Sequence, residues 1–228
     1  MNKSQIISFF DRHAPGWDAN IVTDDIKINR ILDAAGIKAE TTVLDVACGT
    51  GVLFPYYLER SVPQVTGVDI SSEMIRIASG KIQDERIRAI CGDMETIPVS
   101  GTYDCAVVYN AFPHFEEPKR LIERLSLWVK PGGRFTVAHS MGLKELARHH
   151  EGSAKEVSRP MLPAAELAAA FMPWFCADTV LSNDDMYLVS GIKKKQHNNI
   201  HLWLSKMDYL ILDQFEWKTG IISFLLLN

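Results

Sequence analysis

From residue 42 onward, short and almost continuous apolar runs alternate with longer stretches in which apolar residues recur at helical spacing. The runs cover 42–47, 64–69, 86–91, 103–109 and 133–139. Runs of that length, β-branched or apolar on both faces, predict strands buried inside a parallel sheet. Between them the pattern predicts helices over 52–60, over 71–81 behind the cap-like pair Ser71-Ser72, and over 117–129 with Pro118 in the first turn. The β-α-β-α order predicts a doubly wound sheet with right-handed crossovers. "KPGG", 130–133, reads as the turn from the last of these helices into its strand.

After His139 the pattern changes. It predicts a helix over 142–150, a long loop over 151–163 and an Ala-rich helix over 164–172 that ends near Pro173. Runs at 175–181 and 186–192, separated by "SNDD", predict an antiparallel hairpin at the sheet edge, which makes seven strands. Upstream, 21–35 predicts an amphipathic helix preceded by the aromatic and acidic segment "FFDRHAPGWD". The tail, 196–228, carries "IHLWL", "YLILDQFEW" and "IISFLLLN" and does not fit this alternation. Its apolar surface is expected to pack on the domain or on a second copy of the chain, with a membrane-surface anchor or a chance extension that packs poorly as the alternatives.

Composition narrows the partners. The 228 residues are 47% hydrophobic, enough for a substantial core, and the formal net charge of -4 supplies no basic field for nucleic acid. No apolar run reaches the roughly 18 residues of a spanning helix, and no export signal opens the chain. The four cysteines show no CxxC pair, which suits a reducing compartment, so cytoplasm is the expected location. A homodimer is the expected assembly if the tail docks on a second copy.

The chemistry concentrates at "VLDVACGTGVL", 43–53, where a strand runs into a glycine turn and a helix. Glycines there let backbone approach a nucleotide-like ligand. A dinucleotide fingerprint would continue to a third glycine, but Gly49-Thr50-Gly51 is followed by Val52, Leu53 and Phe54. Asp45 at the strand end suits a cationic ligand better than a pyrophosphate. Asp69 in "VTGVDIS" and Asp93 in "ICGDME" follow at successive intervals of twenty-four residues, each closing a strand. A carboxylate at the second position can hold both ribose hydroxyls. One at the third, beside Met94, can accept from an exocyclic amine while the thioether packs on the ring.

With these residues the chain resembles the class I S-adenosylmethionine-dependent methyltransferases, in particular the small-molecule group that includes the ubiquinone and menaquinone biosynthesis enzymes. The match rests on "VLDVACGTG", "VTGVDISSEMI", "CGDMETIPVSGTYDCAVVYNAFPHF" and "WVKPGGRFTV". The resemblance implies a Rossmann-like α/β sheet, an N-terminal lid and helix over 1–40, a cofactor domain over 41–195 and an added tail over 196–228. It implies S-adenosyl-L-methionine as cofactor, S-adenosyl-L-homocysteine as product and a small-molecule acceptor. Asp45, Gly49 and Gly51 take the methionine part, Asp69 the ribose and Asp93 the adenine side. Ala47, Ile70, Met74, Met94 and Asn110 complete the expected set, with Trp17 shielding the cofactor from the lid. Ala47 departs from the fullest glycine pattern. The alternatives are a nicotinamide-dependent oxidoreductase and a cofactor-binding module without catalysis.

A sulfonium donor already carries a good leaving group, so alignment and exclusion of water are the main demands on the enzyme. Tyr109 and Asn110 are expected at the methionine end, and Phe112, His114 and Phe115 at the acceptor side. "HSMGLKELARHH" places His139 at a strand end and His149 and His150 on the next helix. Histidine is the side chain best matched to proton transfer near neutral pH, so His139, His150 and His114 are the candidate catalytic residues. A divalent metal on these histidines is the less favoured version, because no HxxxH spacing supports it. Cys48 in the glycine turn is expected to be a small apolar filler, not a nucleophile.

Overall fold

A computed structural model describes residues 2–98, 101–150, 152 and 154–195. The tail over 196–228, with its expected packing, lies outside the described residues. Met1–Lys194 form one compact unit. Its seven-stranded sheet comprises β1 Thr42–Val46, β2 Gln64–Asp69, β3 Ile87–Cys91, β4 Tyr103–Tyr109, β5 Val129–His139, β6 Phe175–Ser182 and β7 Tyr187–Lys193. The spatial order is β3-β2-β1-β4-β5-β7-β6. The first five strands run parallel, and β7 lies antiparallel between β5 and β6. The edge hairpin is therefore present, with its second strand on the inside.

Alternation along the strands sends side chains to two cores. Leu44, Val46, Ala106 and Val108 face one core with α5 Pro118–Ser126 and α7 Ala164–Phe171. Val43, Val65, Cys105 and Val107 face the other with α2 Asp25–Ala34, α3 Phe54–Glu59 and α4 Ser72–Lys81. The helices earn their places by spacing: Leu121, Ile122 and Leu125 make the buried stripe of α5, and Ile28, Ile31 and Leu32 that of α2. Both faces of the sheet are thus covered, as its continuous apolar strands require.

Three local differences from the sequence pattern have physical causes. The first is α1 Lys3–His13, which starts ahead of the segment read only as aromatic and acidic and takes in its first five residues. Asn2 caps it in a reciprocal box with Gln5. Second, α2 begins at Asp25 instead of residue 21, because Ile21 is extended and Asp24 caps the helix through the Lys27 N–H at 3.0 Å. Third, "KPGG" is not a turn ahead of its strand but an irregular first part of β5, with a register shift against β4 between Tyr103 and Cys105. Gly133 lies so near the Asp104 carbonyl there that a Cβ would stand 2.6 Å from it.

The sheet order reverses direction between β1 and β4, and the loops after β1, β2, β3, β4 and β5 gather at its carboxyl end. That crevice is where open α/β sheets bind ligands. Among the described residues, no helix is long and apolar enough to cross a membrane.

Candidate active site

The crevice is a cavity of about 660 Å³, within the range of roughly 300–1,000 Å³ typical of small-molecule sites. Its first wall is the turn after β1, where Ala47, Gly49 and Gly51 have φ of 55°, 55° and 77°. Ala47 and Gly49 line the cavity, and a Cβ on Gly49 would meet nothing within 4 Å. Gly51 lies behind the wall, where a Cβ would stand 2.5 Å from the Phe54 ring. Asp45, only 2% exposed, sits under the turn and is not part of the cavity wall. Among the described residues, its Oδ2 and the nearby Tyr57 hydroxyl have no hydrogen-bond partner of good geometry. Burial pushes the Asp45 carboxyl up to about 8, against the influence of Tyr57 and with that of Asp69. Burial also pushes the Cys48 thiol well up, and Asp45 and Asp69 add to it, so Cys48 is a neutral filler.

The second wall follows β2. Asp69 accepts the Gly49 N–H at 2.8 Å and the Ser71 N–H at 2.9 Å, which ties the glycine turn to the start of α4. Burial raises its pKa, and these two bonds partly offset the rise. Each oxygen keeps accepting capacity toward the cavity, which Asp69 lines with Ile70 and Met74. The third wall follows β3. Met94 is buried there, Asp93 accepts the Glu95 N–H at 2.9 Å, and both line the cavity. Burial works to raise Asp93, but the Lys3 ammonium and the Glu95 N–H outweigh it and hold the carboxyl below its ordinary value.

A strap over residues 3–20 closes on these three walls and is fastened once to each. Lys3 Nζ lies 2.6 Å from both Asp93 Oδ2 and Glu95 Oε2. Asp11 Oδ1 accepts the Ser71 hydroxyl at 2.5 Å and the Glu73 N–H at 3.2 Å. Asp18 accepts the Thr50 hydroxyl at 2.5 Å and pairs with Lys81 at 2.7 Å. Lys3, Asp11, Asp18, Thr50 and Glu95 were not singled out from sequence. The usable signal was the capping box at Asn2 and Gln5 with Ile6 and Phe10 at helical spacing.

Trp17 lines the cavity from the strap, edge-on to Phe10 at 5.5 Å, and Phe10 is edge-on to His114 at 4.9 Å. His114 Nδ1 lies 2.8 Å from the Val157 carbonyl, which can only accept, so Nδ1 carries the hydrogen. In the neutral ring Nε2 is then the nitrogen able to take a proton. His139 is fully buried at the end of β5, edge-on to Tyr187 at 6.1 Å, and also lines the cavity. The end of β4 brings Tyr109 and Asn110 to the wall, and the Asn110 amide brackets Ser140 at 3.0 and 3.2 Å. Phe115 reaches the cavity as expected, but Phe112 turns into the core. His149, on α6 Leu143–His150, lines the cavity, whereas the side chain of His150 lies outside the described residues. Among the described residues, no group of three or more His, Cys, Asp or Glu is placed to hold a metal ion.

Residues 43–133 match the model of the methyltransferase domain family. Over that stretch the chain is similar to methyltransferase domains. A demethylmenaquinone methyltransferase of Paenarthrobacter aurescens is 25% identical over 235 residues, covering 96% of this chain and 84% of that protein. A malonyl-[acyl-carrier protein] O-methyltransferase of Priestia megaterium is 29% identical over 138 residues, 58% of this chain. The match spans only 50% of that relative's length. The N-methyltransferase NodS of Bradyrhizobium japonicum, solved with S-adenosyl-L-homocysteine, matches with a TM-score of 0.66 at 12% identity, covering 86% of this chain and 100% of that one. At that identity the likeness shows the fold. The site also fits the cofactor on its own terms: open space above Gly49 for close backbone approach, Asp69 poised to accept hydroxyls, and at the third wall a half-buried Asp93 beside the buried Glu95.

Proposed function

We propose that the chain transfers a methyl group from S-adenosyl-L-methionine to a small-molecule acceptor. The observation that carries this reading is the single cavity onto which Gly49, Asp69, Asp93 and Met94 open on one side and His114, His139 and Phe115 on the other. The bound sulfonium would supply an electrophilic methyl with a neutral thioether as leaving group. Asp69 would hold the ribose, and Ala47, Gly49 and Asn110 the methionine part, with Ile70, Met74 and Met94 packing the base. Asp45 would act from beneath the turn. The strap, with Trp17 and Phe10, would keep water from the reacting atoms, where solvent costs rate.

The acceptor side is lined by Phe9, Phe10, Phe115, Met141 and Leu146. Such a wall favours an acceptor with an apolar or aromatic body. His114, with Nδ1–H held by a backbone carbonyl, is the residue to take a proton from an acceptor hydroxyl, and His139 is the group to orient it. The relative named for demethylmenaquinone agrees with an aromatic acceptor. We place the activity in the cytoplasm and the chain in a homodimer, readings a sedimentation measurement and fractionation would check.

The test is label transfer from methyl-labelled S-adenosylmethionine to hydroquinones, phenols and carboxylates, with the homocysteine product quantified alongside. Label in an acceptor matched by equimolar product supports the assignment. Cofactor binding with no label in any acceptor would leave a binding module without catalysis.

A further inference from the structure

The strap carries four charged residues, Lys3, Asp11, Arg12 and Asp18. Three of them fasten it. Lys3 bridges Asp93 and Glu95, Asp11 accepts from the Ser71 hydroxyl and the Glu73 N–H, and Asp18 holds Thr50 and Lys81. Arg12 is the exception. It lines the cavity and is exposed there, and among the described residues it has no hydrogen-bond or ion-pair partner.

Within the cavity Arg12 belongs to the acceptor side. It follows Phe9 by three residues on α1, so the two side chains are neighbours on the helix surface, and Phe9 is part of the apolar acceptor wall. The next residue, His13, lies with Nδ1 2.7 Å from the Phe9 carbonyl and with its ring centroid 4.2 Å from that of Phe9. His13 thus packs with the wall beside the guanidinium. The acids across the cavity are already engaged, Asp69 by two backbone N–H groups and Asp93 and Glu95 by Lys3. Glu116 also lines the cavity but forms no ion pair with Arg12. A cation in the last turn of α1 suits the helix dipole, which accounts for the charge but not for its place on a cavity wall.

A guanidinium presents a planar fork of donors that matches the two oxygens of a carboxylate. Set beside an apolar wall, it selects a ligand with an apolar body and one anionic end. Resting on the transferase reading above, we propose that Arg12 is a specificity-determining residue and that the acceptor is an aromatic or apolar acid whose carboxylate pairs with it. The carboxylate is the handle, and the atom that takes the methyl is the hydroxyl presented to His114. The strap then selects the acceptor as well as covering the site.

The experiment is calorimetric titration of the full chain, first with S-adenosyl-L-homocysteine and then, once saturated, with matched pairs in which an amide replaces the carboxylate. The pairs are para-hydroxybenzoate with para-hydroxybenzamide, and a hydroxynaphthoate with its amide. The wild type should prefer the acid by about five- to twentyfold at low salt, a charge-assisted bond discounted for the exposure of Arg12. Added salt should shrink that preference. Arg12→Gln should bring the members of a pair to within about twofold, and Arg12→Lys, which keeps the charge but loses the fork, should retain part of the difference. Arg148→Gln, at an exposed arginine of α6 that does not line the cavity, should leave the preference whole. Melting curves of each variant show that it is folded at the titration temperature. Equal binding of acid and amide by the wild type, a preference that survives Arg12→Gln or falls equally in Arg148→Gln, or binding of neither pair overturns the proposal. So does a marked loss of S-adenosyl-L-homocysteine affinity in Arg12→Gln, which would move Arg12 to the cofactor. Failure of the wild type to bind S-adenosyl-L-homocysteine in the first titration sinks the transferase reading as well.

Discussion

Replacing Gly51 by alanine should cost the fold, and replacing Gly49 should cost the ligand. Both residues sit in the turn after β1 at positive φ, 77° and 55°, where an alanine is strained by roughly 1–2 kcal/mol. At Gly51 the new Cβ would also stand 2.5 Å from Phe54 Cδ2 and 2.7 Å from Cε2. Phe54 is fully buried and cannot retreat, because its far edge is packed on Gly67, where a Cβ would lie 2.6 Å from Cζ. Overpacking of that kind costs about 1–3 kcal/mol beyond the backbone strain. At roughly 2–4 °C per kcal/mol for a domain of this size, Gly51→Ala should melt about 2–12 °C below Gly49→Ala. The Cβ of Gly49→Ala meets no protein atom within 4 Å and projects from a residue that lines the cavity. That variant should keep its fold and bind S-adenosylhomocysteine at least about tenfold more weakly, since the added methyl displaces the ligand from close backbone contact. Thermal melts read the first effect and calorimetry the second. Equal melting temperatures, or wild-type affinity in Gly49→Ala, would refute the division of labour between the two glycines.

Asp45→Asn should change the pH dependence of stability. The folded carboxyl titrates near 8 against an ordinary 3.8, so between those values the folded state holds a proton the unfolded chain lacks. Wild-type stability therefore falls as pH rises through that window, and the variant should gain on the wild type across it in urea denaturation, with parallel curves counting against the burial argument. Asp18→Asn weakens the fastening of the strap to Thr50 and Lys81 and should raise the dissociation constant for S-adenosylhomocysteine by about three- to tenfold. Unchanged affinity would place the strap outside the site. His114→Gln should keep cofactor binding and slow methyl transfer by about a hundredfold, as loss of a proton acceptor does, and a loss below about tenfold would remove His114 from the chemistry.

The strands were readable because parallel sheet buried on both faces demands continuous apolar runs, and 64–69 and 103–109 coincide with β2 and β4. The glycine turn and the acids at equal intervals were readable because each closes such a run. What escaped was tertiary. The pairing of Lys3 with Asp93 and Glu95 joins residues about ninety positions apart, and no local pattern announces it. Asp45 was recognised by its place in the motif, but its burial under the turn, beside Tyr57 of α3, is set by packing between elements. Phe112 and Phe115 look alike in "YNAFPHF", yet the 3-10 turn Phe112–His114 sends the first to the core and leaves the second at the cavity. The same turn orients His114 against Val157, which lies in the segment predicted to be a long loop.

The most direct test of the account is calorimetric titration of the chain with S-adenosylmethionine, S-adenosylhomocysteine and NAD, repeated on Asp69→Ala. Micromolar binding of both sulfur compounds, lost in the variant and absent for NAD, is the predicted result. No binding of either sulfur compound, or tight binding of NAD in their place, would contradict it.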